Sequence, residues 1–173
     1  MKPLLDKNMR AILAFGVFCV NFLLDRLTKG IAVVCLKERE PIILLKRMVI
    51  FTYTENTGAF LSMGANWNEH IKHFLLLIVP IIVCIGGLVY LMVKEHKIYR
   101  IITGSCVIGG GLGNLVDRMY NNFRVIDFMN FGVGKIRTGI LNVADMSVTF
   151  GVMVLLIFEI AASVSLARKK PPN

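Results

Sequence analysis

Apolar residues along the chain are gathered into four runs that charged residues bound. Residues 74–93 carry no charge, and residues 98–116 carry only Arg100, near the start of the run. Residues 146–166 form another run, which Glu159 alone interrupts. Runs of this length match the thickness of a bilayer, whereas a soluble core is built from shorter alternating elements. The pattern therefore predicts helices that cross a membrane.

The first apolar run needs a charged continuation to span a bilayer. Residues 11–24 are uncharged, but a span needs about 17 residues or more, so the helix has to continue through Asp25 and Arg26. A cleavable signal peptide is the alternative, because basic residues precede the run, but no small-residue cleavage site follows it. We therefore expect a retained helix, with Asp25 near one edge of the membrane.

The four runs predict one all-α membrane domain over residues 1–173, with transmembrane helices at about 9–28, 71–93, 98–117 and 143–167. Four spans place both termini on the same side of the membrane. The helix ends on that side are flanked by basic residues: Lys2, Lys7, Arg10, Lys94, Lys97, Arg100, Arg168, Lys169 and Lys170. Basic residues favour the cytoplasmic side, so we expect cytoplasmic termini and two external loops.

The first external loop, over about residues 30–70, combines a strand pattern with a turn. Residues 48–54 are rich in β-branched and aromatic side chains, and the turn-like residues 55–58 follow them. This pattern predicts a small extracytoplasmic β-sheet. Because open sheet edges are not tolerated in lipid, the sheet has to lie outside the hydrocarbon or fold against the helices.

Composition supports the membrane interpretation and excludes other classes of protein. Hydrophobic residues make up 55% of the chain, above the roughly 45–50% of soluble domains. The formal charge of +9 lies at the ends of apolar runs and not on an aromatic-studded surface, so nucleic acid is not an expected partner. The four cysteines show no CxxC spacing, and we expect small hydrophobic side chains there, not a metal site or disulfides.

Two of the predicted helix ends present the same pair of residue types. Asn114 precedes Asp117 by three positions at the end of the third helix, and Asn142 precedes Asp145 by three positions at the start of the fourth. Positions i and i+3 share a helix face, so each amide is expected to orient its carboxylate. One external loop joins the two helices, which places both carboxylates on the same side of the membrane at a similar depth.

Two carboxylates that are brought close in a partly desolvated site share a proton. The ionised member takes a proton from an attacking water, while the protonated member hydrogen-bonds the substrate carbonyl and later protonates the leaving amine. Asp117 and Asp145 are therefore candidate acids for peptide hydrolysis. No metal or other cofactor is expected, because the sequence has no HExxH motif and no cysteine–histidine cluster.

Less specific explanations exist for the same residues. Charged residues at helix ends commonly face water, and Asp145 is favourable near a helix N-terminus without any catalytic role. Gly109 and Gly113 form a GxxxG pattern, which we interpret as a place where a neighbouring helix approaches closely.

Four short motifs follow one another along nearly the whole chain. They are residues 25–29 (DRLTK), 56–60 (NTGAF), 113–118 (GNLVDR) with 125–128 (VIDF), and 142–145 (NVAD). Together with the four spans, they resemble the motifs of the lipoprotein signal peptidase family, also called signal peptidase II. The first resembles that family's D-x-x-T/S-K motif and the second its N-x-G-A segment. Departures are small, since Arg26 stands where Gln is frequent and Phe60 where a second Ala is common.

The resemblance implies an aspartic peptidase with Asp117 and Asp145 as its catalytic dyad. The supporting or substrate-contacting residues would be Asp25, Lys29, Asn56, Gly58, Asn114, Arg118 and Asn142. The implied substrate is a prolipoprotein whose cysteine carries a diacylglyceryl group, cut on the N-terminal side of that cysteine. The family also implies a bacterial cytoplasmic (inner) membrane, a site at its extracytoplasmic face and a sheet that forms a cradle over the substrate. Membrane lipids are expected around the chain, which we expect to be a monomer.

Other polar residues fit the expected site less well. Glu159 lies about 21 Å along a helix from Asp145, too far to join the pair, and is expected to form interhelical hydrogen bonds or to reach the cytoplasmic edge. Asp127 lies between the motifs as a candidate third acid, although its position in the family suggests a role in loop structure. No role is assigned to His70, His73 and His96.

Other function classes account for parts of the pattern. A small membrane transporter could use Asp25, Asp117 and Asp145 as a proton or cation relay, but the second helix has no polar series to complete a route. A presenilin-type protease would need Asp directly after the second glycine of GxGD, where this chain has Asn114. A non-enzymatic assembly factor would tolerate Asp117→Asn, which an enzyme would not.

Overall fold

The computed structural model describes residues 5–58, 64 and 66–168 of the chain. In that part of the chain the order of elements is α1 (Lys7–Leu36), β1 (Ile42–Leu44), β2 (Val49–Asn56), α2 (Glu69–Val93), α3 (Ile98–Tyr120), β3 (Val125–Val133), β4 (Ile136–Leu141) and α4 (Val143–Arg168). Lys2, Ala59, Phe60 and residues 169–173, which entered the sequence predictions, lie outside the described residues.

Side-chain caps explain where α1 and α2 begin. The Asp6 carboxylate accepts a hydrogen bond from the amide of Met9 at 2.8 Å, before the start of α1. Asn68 accepts one from the amide of His70 at 2.9 Å, before the start of α2. The first amides of a helix have no carbonyl partner within it, so these side chains complete the first turns. Both helix starts are therefore encoded locally.

Three described helices are long and apolar enough to cross a membrane: α1, α2 and residues Val143–Ser165 of α4. The remaining predicted span corresponds to α3, which is less apolar because it carries Arg100, Asp117 and Arg118. α3 packs against all three other helices, and many of its small and polar residues are buried. A helix that its neighbours cover needs no apolar surface around its whole circumference. Length and composition therefore indicate three spans where the sequence pattern predicts four.

Glycines of α3 let α1 approach closely. A Cβ atom at Gly109 would lie 2.8 Å from the carbonyl oxygen of Phe18 in α1, and Gly113 lies directly against the carboxylate of Asp25. The close approach predicted from Gly109 and Gly113 is confirmed. It brings α1 to the end of α3 that carries the candidate chemistry.

The connections from α1 to α2 and from α3 to α4 form one four-stranded antiparallel sheet, in the order β1-β2-β3-β4. β2 confirms the strand predicted from the β-branched residues before position 55. No strand was expected at β3 or β4, which form a hairpin around Gly134 and Lys135, with Gly134 at a φ of 58°. Thr54 of β2 pairs with Asp127 of β3. Asp127 therefore lies on a strand and not in a loop.

An apolar cluster attaches the sheet to α1. It contains Ala32 and Leu36 of α1 together with Phe128 and Met129 of β3, all of them buried. Burying a large apolar side chain contributes roughly 1.5–3 kcal/mol. The cluster therefore fixes β3 beside the helix that carries the first motif.

Glu159 lies in a polar cluster between α3 and α4. Its carboxylate accepts hydrogen bonds from Tyr99 Oη at 2.7 Å and from Arg100 Nε and Nη2 at 2.5 and 2.7 Å. Arg100 also lies 3.4 Å from the carboxylate of Glu95. The predicted interhelical hydrogen bonding of Glu159 is confirmed, and it joins the start of α3 to the last turns of α4.

Replacing Gly110 by alanine should force α3 away from α4. The added Cβ would lie 2.6 Å from the carbonyl oxygen of Ala144, a backbone atom that cannot rotate away. Overpacking of this kind costs about 1–3 kcal/mol, so the variant should unfold at a lower temperature in detergent. Gly86→Ala is the matched control, because no described atom lies within 4 Å of its Cβ position. If Gly110→Ala is as stable as Gly86→Ala, this packing is contradicted.

Candidate active site

Asn142 and Asp145 cap the first turn of α4. The Asn142 Oδ1 accepts a hydrogen bond from the amide of Asp145 at 2.8 Å, and Asp145 Oδ2 accepts one from the amide of Asn142 at 3.3 Å. This reciprocal arrangement is a capping box, in which the second side chain follows the cap by three residues. The spacing seen in the sequence therefore has a local cause, and it holds the Asp145 carboxylate at the N-terminal end of α4.

Asn114 does not orient Asp117, contrary to the expectation from the sequence. Its Nδ2 donates to Asp145 Oδ1 at 2.9 Å, and its Oδ1 accepts from Lys29 Nζ at 2.7 Å and from Asn142 Nδ2 at 3.1 Å. The expectation failed because the side-chain amide of Asn114 binds Lys29 of α1 and Asp145 of α4. Asn114 thus joins α1, α3 and α4 in one layer of hydrogen bonds.

The carboxylate of Asp117 is occupied by two cations and one backbone amide. Oδ1 lies 2.7 Å from Arg26 Nη1 and Oδ2 lies 2.8 Å from Lys29 Nζ, and the amide of Ile126 donates to Oδ2 at 3.1 Å. Asp117 is only 3% exposed. Charge-assisted contacts of this kind are strong and fixed in direction. They leave Asp117 little capacity to bind a water or a substrate.

Asp25 is fully buried and shares the same two cations. Its Oδ2 lies 3.0 Å from both Arg26 Nη2 and Lys29 Nζ, and its Oδ1 accepts from the amide of Ala144 at 3.0 Å. Lys29 follows Asp25 by one helical turn, so both side chains point to the same side of α1. Lys29 is 2% exposed, and its charge compensates both Asp25 and Asp117.

Asp127 is buried on β3, and both Asp127 and Asp145 form hydrogen bonds with Asn142. Its Oδ1 accepts from Asn142 Nδ2 at 2.6 Å, and its Oδ2 accepts from Asn56 Nδ2 at 3.1 Å. None of the ion pairs among the described residues includes Asp127. Burial, together with the negative charge of Asp145, raises the pKa of Asp127 to about 7, although its two amide donors act in the opposite direction. Asp127 and Asp145 are thus close enough for their charges to interact.

The sequence did contain a signal for Asp127. It is the only acidic residue between positions 118 and 144, and Ile126 and Phe128 flank it. A single carboxylate in an apolar strand has to be buried with partners, which marks a candidate functional group. Gly134 is a turn signal between the two apolar stretches, and a hairpin turn at this position identifies the residues before it as a strand.

Asn56, Gly58 and Arg118 form another side of the site. Asn56 Oδ1 accepts from the amide of Gly58 at 2.9 Å, and Arg118 Nη2 donates to the carbonyl oxygen of Gly58 at 3.0 Å. The Nε of Arg118 is buried, and no described residue accepts a hydrogen bond from it. An unused buried donor is costly, so this nitrogen is a candidate contact for a bound ligand.

A cavity of about 330 Å³ opens beside Asp127. Its other lining residues come from β2 and β4 and from the turn after β2: Thr54, Glu55, Asn56, Thr57, Gly139 and Ile140. The cavity gives a ligand access to Asp127 from the sheet. Hydrogen bonds and ion pairs connect all the predicted site residues into one network, to which the structure adds Asp127 and Arg26.

Comparison with known proteins identifies the family. Residues 17–161 match the family described as signal peptidase (SPase) II. The chain belongs to the signal peptidase II family. Among its signal peptidase II relatives, the lipoprotein signal peptidase of Chlorobium phaeobacteroides is 32% identical over 153 residues, which cover 84% of this chain and 88% of that protein. The lipoprotein signal peptidase of Borrelia hermsii is 32% identical over 114 residues, which cover 64% of this chain and 66% of that protein.

A solved structure described as a bacterial membrane enzyme has the same fold as this signal peptidase II chain. The two superpose with a TM-score of 0.74 over 92% of this chain and 93% of the other, at 23% sequence identity. The arrangement of helices and sheet is therefore shared at low sequence identity. The chain is a bacterial membrane protein.

Replacing Lys29 by methionine should destabilise the protein strongly. The substitution leaves Asp25 and Asp117 buried with one cation fewer, and removing one partner of a buried ion pair costs about 3–5 kcal/mol. Thermal unfolding in detergent measures the loss, with Lys94→Met as the exposed control. Adding Asp25→Asn to Lys29→Met should restore part of it, because one uncompensated charge is removed. Losses that simply add would contradict this coupling.

Proposed function

We propose that this chain is an aspartic endopeptidase that removes signal peptides from prolipoproteins. The family match and the relatives named lipoprotein signal peptidase support both the reaction and the class of substrate. We further propose that the substrate cysteine carries a diacylglyceryl group and that the cut falls on its N-terminal side. Such a lipid would confine the substrate to the membrane, where the ends of α3 and α4 present the site.

Our assignment of the catalytic pair rests on the hydrogen bonds that Asp127 and Asp145 both form with Asn142. Asp127 lines the cavity, forms no ion pair among the described residues and interacts electrostatically with Asp145. Asp117 is instead occupied by Arg26 and Lys29. We therefore keep Asp145 as a catalytic residue, give it Asp127 as its partner and give Asp117 a positioning role. The pairing of Asp145 with Asp117 stays a prediction, and the activities of Asp117→Asn and Asp127→Asn distinguish the two pairings.

The reaction needs one proton shared between the two carboxyl groups. The pKa of Asp127, raised to about 7, lets it hold that proton in neutral solution. Asp145 then takes a proton from a water while the water oxygen attacks the scissile carbonyl carbon. The O–H of Asp127 donates a hydrogen bond to the carbonyl oxygen, and Asp127 then gives its proton to the leaving amine as the C–N bond breaks.

Neighbouring residues orient the pair and the substrate. Asn56 and Asn142 hold the carboxyl group of Asp127, and Asn114 holds that of Asp145. The free Nε of Arg118 would donate to a backbone carbonyl of the substrate, beside Gly58. These donors are fixed before the substrate arrives, so they need little reorganisation during the reaction.

We place the site at the extracytoplasmic face of a bacterial inner membrane. In this arrangement α3 crosses as a fourth helix, covered by the three apolar ones, and both termini are cytoplasmic. The basic residues of the short α2–α3 connection, such as Lys94 and Lys97, support that orientation. Membrane lipids surround the helices, and the protein acts as a monomer.

Asp127→Asn and Asp145→Asn should each reduce cleavage by about 10²–10⁴-fold, because asparagine cannot carry the transferred proton. Asp117→Asn should retain measurable cleavage and lose stability instead. Mass spectrometry would detect the products when purified protein in detergent meets a diacylglyceryl-modified prolipoprotein or its unlipidated twin. Cleavage should fall before the lipidated cysteine and be absent for the twin.

Unfolding curves for each variant provide the control for that experiment. If a folded Asp117→Asn is inactive while Asp127→Asn still cleaves, Asp117 is the partner of Asp145. Equal cleavage of the unlipidated twin would refute the lipid requirement. No cleavage by folded wild-type protein would favour the transporter alternative.

Cleavage should decline as the pH rises through about 7. Below that pH Asp127 holds its proton, and above it the pair loses the singly protonated form that the reaction needs. Asn56 donates to Asp127 and lowers its pKa, so Asn56→Ala should move the decline to higher pH. The pH dependence of kcat/KM measures this shift, with Thr57→Ala as a control on the same cavity wall. A decline that stays in place or moves to lower pH would contradict the role of Asp127.

A further inference from the structure

Two segments of the sheet contain basic residues and no acidic ones, and these basic residues lie at the end of the sheet away from Asp127. Residues 41–54 include Lys46 and Arg47, and residues 128–144 include Lys135 and Arg137. The local positive charge of these segments favours a partner that is negatively charged.

The fold brings the two segments together. Arg137 Nη1 donates to the carbonyl oxygen of Arg47 at 2.7 Å, and the amide of Gly132 donates to the carbonyl oxygen of Met48 at 2.9 Å. We call residues 42–48 and 133–137 the sheet tip. Its basic residues therefore form one patch, although some 90 positions separate them in the sequence.

Apolar side chains of the sheet tip face outward beside this charge. Leu45 is 69% exposed, Val133 is 65% exposed and Ile136 is 85% exposed. Large apolar side chains exposed side by side mark a surface that contacts a protein or a membrane. Apolar side chains next to Lys and Arg are typical of segments that lie in the membrane interface.

The backbone holds Leu45 in this exposed position. Leu45, Lys46 and Arg47 have φ values of 50°, 51° and 70°, a region that residues other than glycine rarely adopt. Such conformations persist where the surroundings compensate for them, and they cluster at functional positions. Burial of Leu45 in lipid would supply that compensation.

The sheet next to its tip lies beside the first turns of α4. An apolar cavity of about 570 Å³ separates the sheet from α4, with Phe131 and Arg137 on one side and Thr149 and Phe150 on the other. The apolar span of α4 begins at Val143, so Thr149 lies about 9 Å further along the helix. The sheet therefore runs beside the start of the segment of α4 that is apolar enough to cross a membrane.

We propose that the sheet tip docks onto the membrane surface and recognises anionic phospholipid. Leu45, Val133 and Ile136 enter the lipid, while Lys46 and Lys135 contact the headgroups. Each basic residue near an anionic surface strengthens such docking roughly fivefold. Docking would fix the sheet over the ends of α3 and α4 whichever reaction the site performs.

Tryptophan fluorescence tests the insertion. Ile136→Trp in a Trp67→Phe background places the one tryptophan at the sheet tip, and Val133→Trp serves as a second probe. The protein is reconstituted in phosphatidylcholine vesicles whose acyl chains are brominated, with or without phosphatidylglycerol. Bromine should quench the tryptophan, and phosphatidylglycerol should increase the quenching.

A matched pair of double variants tests the charge. Lys46→Gln with Lys135→Gln should lower the ratio of docked to free tip roughly fivefold per lysine in phosphatidylglycerol vesicles. Lys7→Gln with Lys94→Gln removes the same charge from exposed positions away from the sheet and should leave quenching unchanged. Quenching that ignores phosphatidylglycerol, or that both pairs reduce equally, would overturn the recognition of anionic lipid. An unquenched probe would place the tip in water and indicate a protein partner, which overturns the proposal.

Discussion

The ammonium group of Lys29 holds the core of the site together. It is buried and lies 3.0 Å from the carboxylate of Asp25, 2.8 Å from that of Asp117 and 2.7 Å from the side-chain Oδ1 of Asn114. Asp25 and Asn114 in turn contact α4, at the amide of Ala144 and the carboxylate of Asp145. Without Lys29, Arg26 would be the one cation described beside these two buried carboxylates, and removing one partner of a buried ion pair costs about 3–5 kcal/mol. The close packing of α1, α3 and α4 around glycine therefore requires Lys29.

This compensation divides the acids of the site into two kinds. Asp25 and Asp117 both form ion pairs with Lys29 and Arg26, which fix their carboxylates in place. Among the described residues, Asp127 and Asp145 accept hydrogen bonds from amide donors only, and both are hydrogen-bonded to Asn142. Environment and not residue type sets the role of a carboxyl group. The charge balance of the helix core thus leaves Asp127 and Asp145 as the carboxyl groups available for the proposed proton transfers.

Local patterns in the sequence were sufficient for the features that local physics determines. The uncharged residues 74–93 identified a span, and the spacing of Asn142 and Asp145 reflected a capping box. The role of Asp117 could not be derived in this way, because it depends on Arg26 and Lys29, which lie far away along the chain. The same holds for Asn114, whose partners come from two other helices.

The strands β3 and β4 were missed for a related reason. β3 begins with the motif residues 125–128, but the rest of the two strands lies between motifs in a stretch expected to be a loop. A strand becomes stable only when it pairs. β3 pairs with β2, which lies some 70 residues earlier, so no window of the sequence contains both. Asp127 entered the site through that pairing, which places it opposite Thr54 and beside Asn56. A carboxylate that long-range pairing positions cannot be assigned from its neighbours in sequence.

The polar composition of α3 follows from its place among the helices. Near its start, Arg100 is bound by Glu159 of α4, and near its end Asp117 is bound by Lys29 of α1. Between these ion pairs, small residues such as Ser105 and Gly109 allow the neighbours to come close. α3 therefore cannot shift along its own axis without breaking these ion pairs. The two ion pairs therefore fix the position of α3 along its axis, and with it the level at which Asn114 meets Asp145.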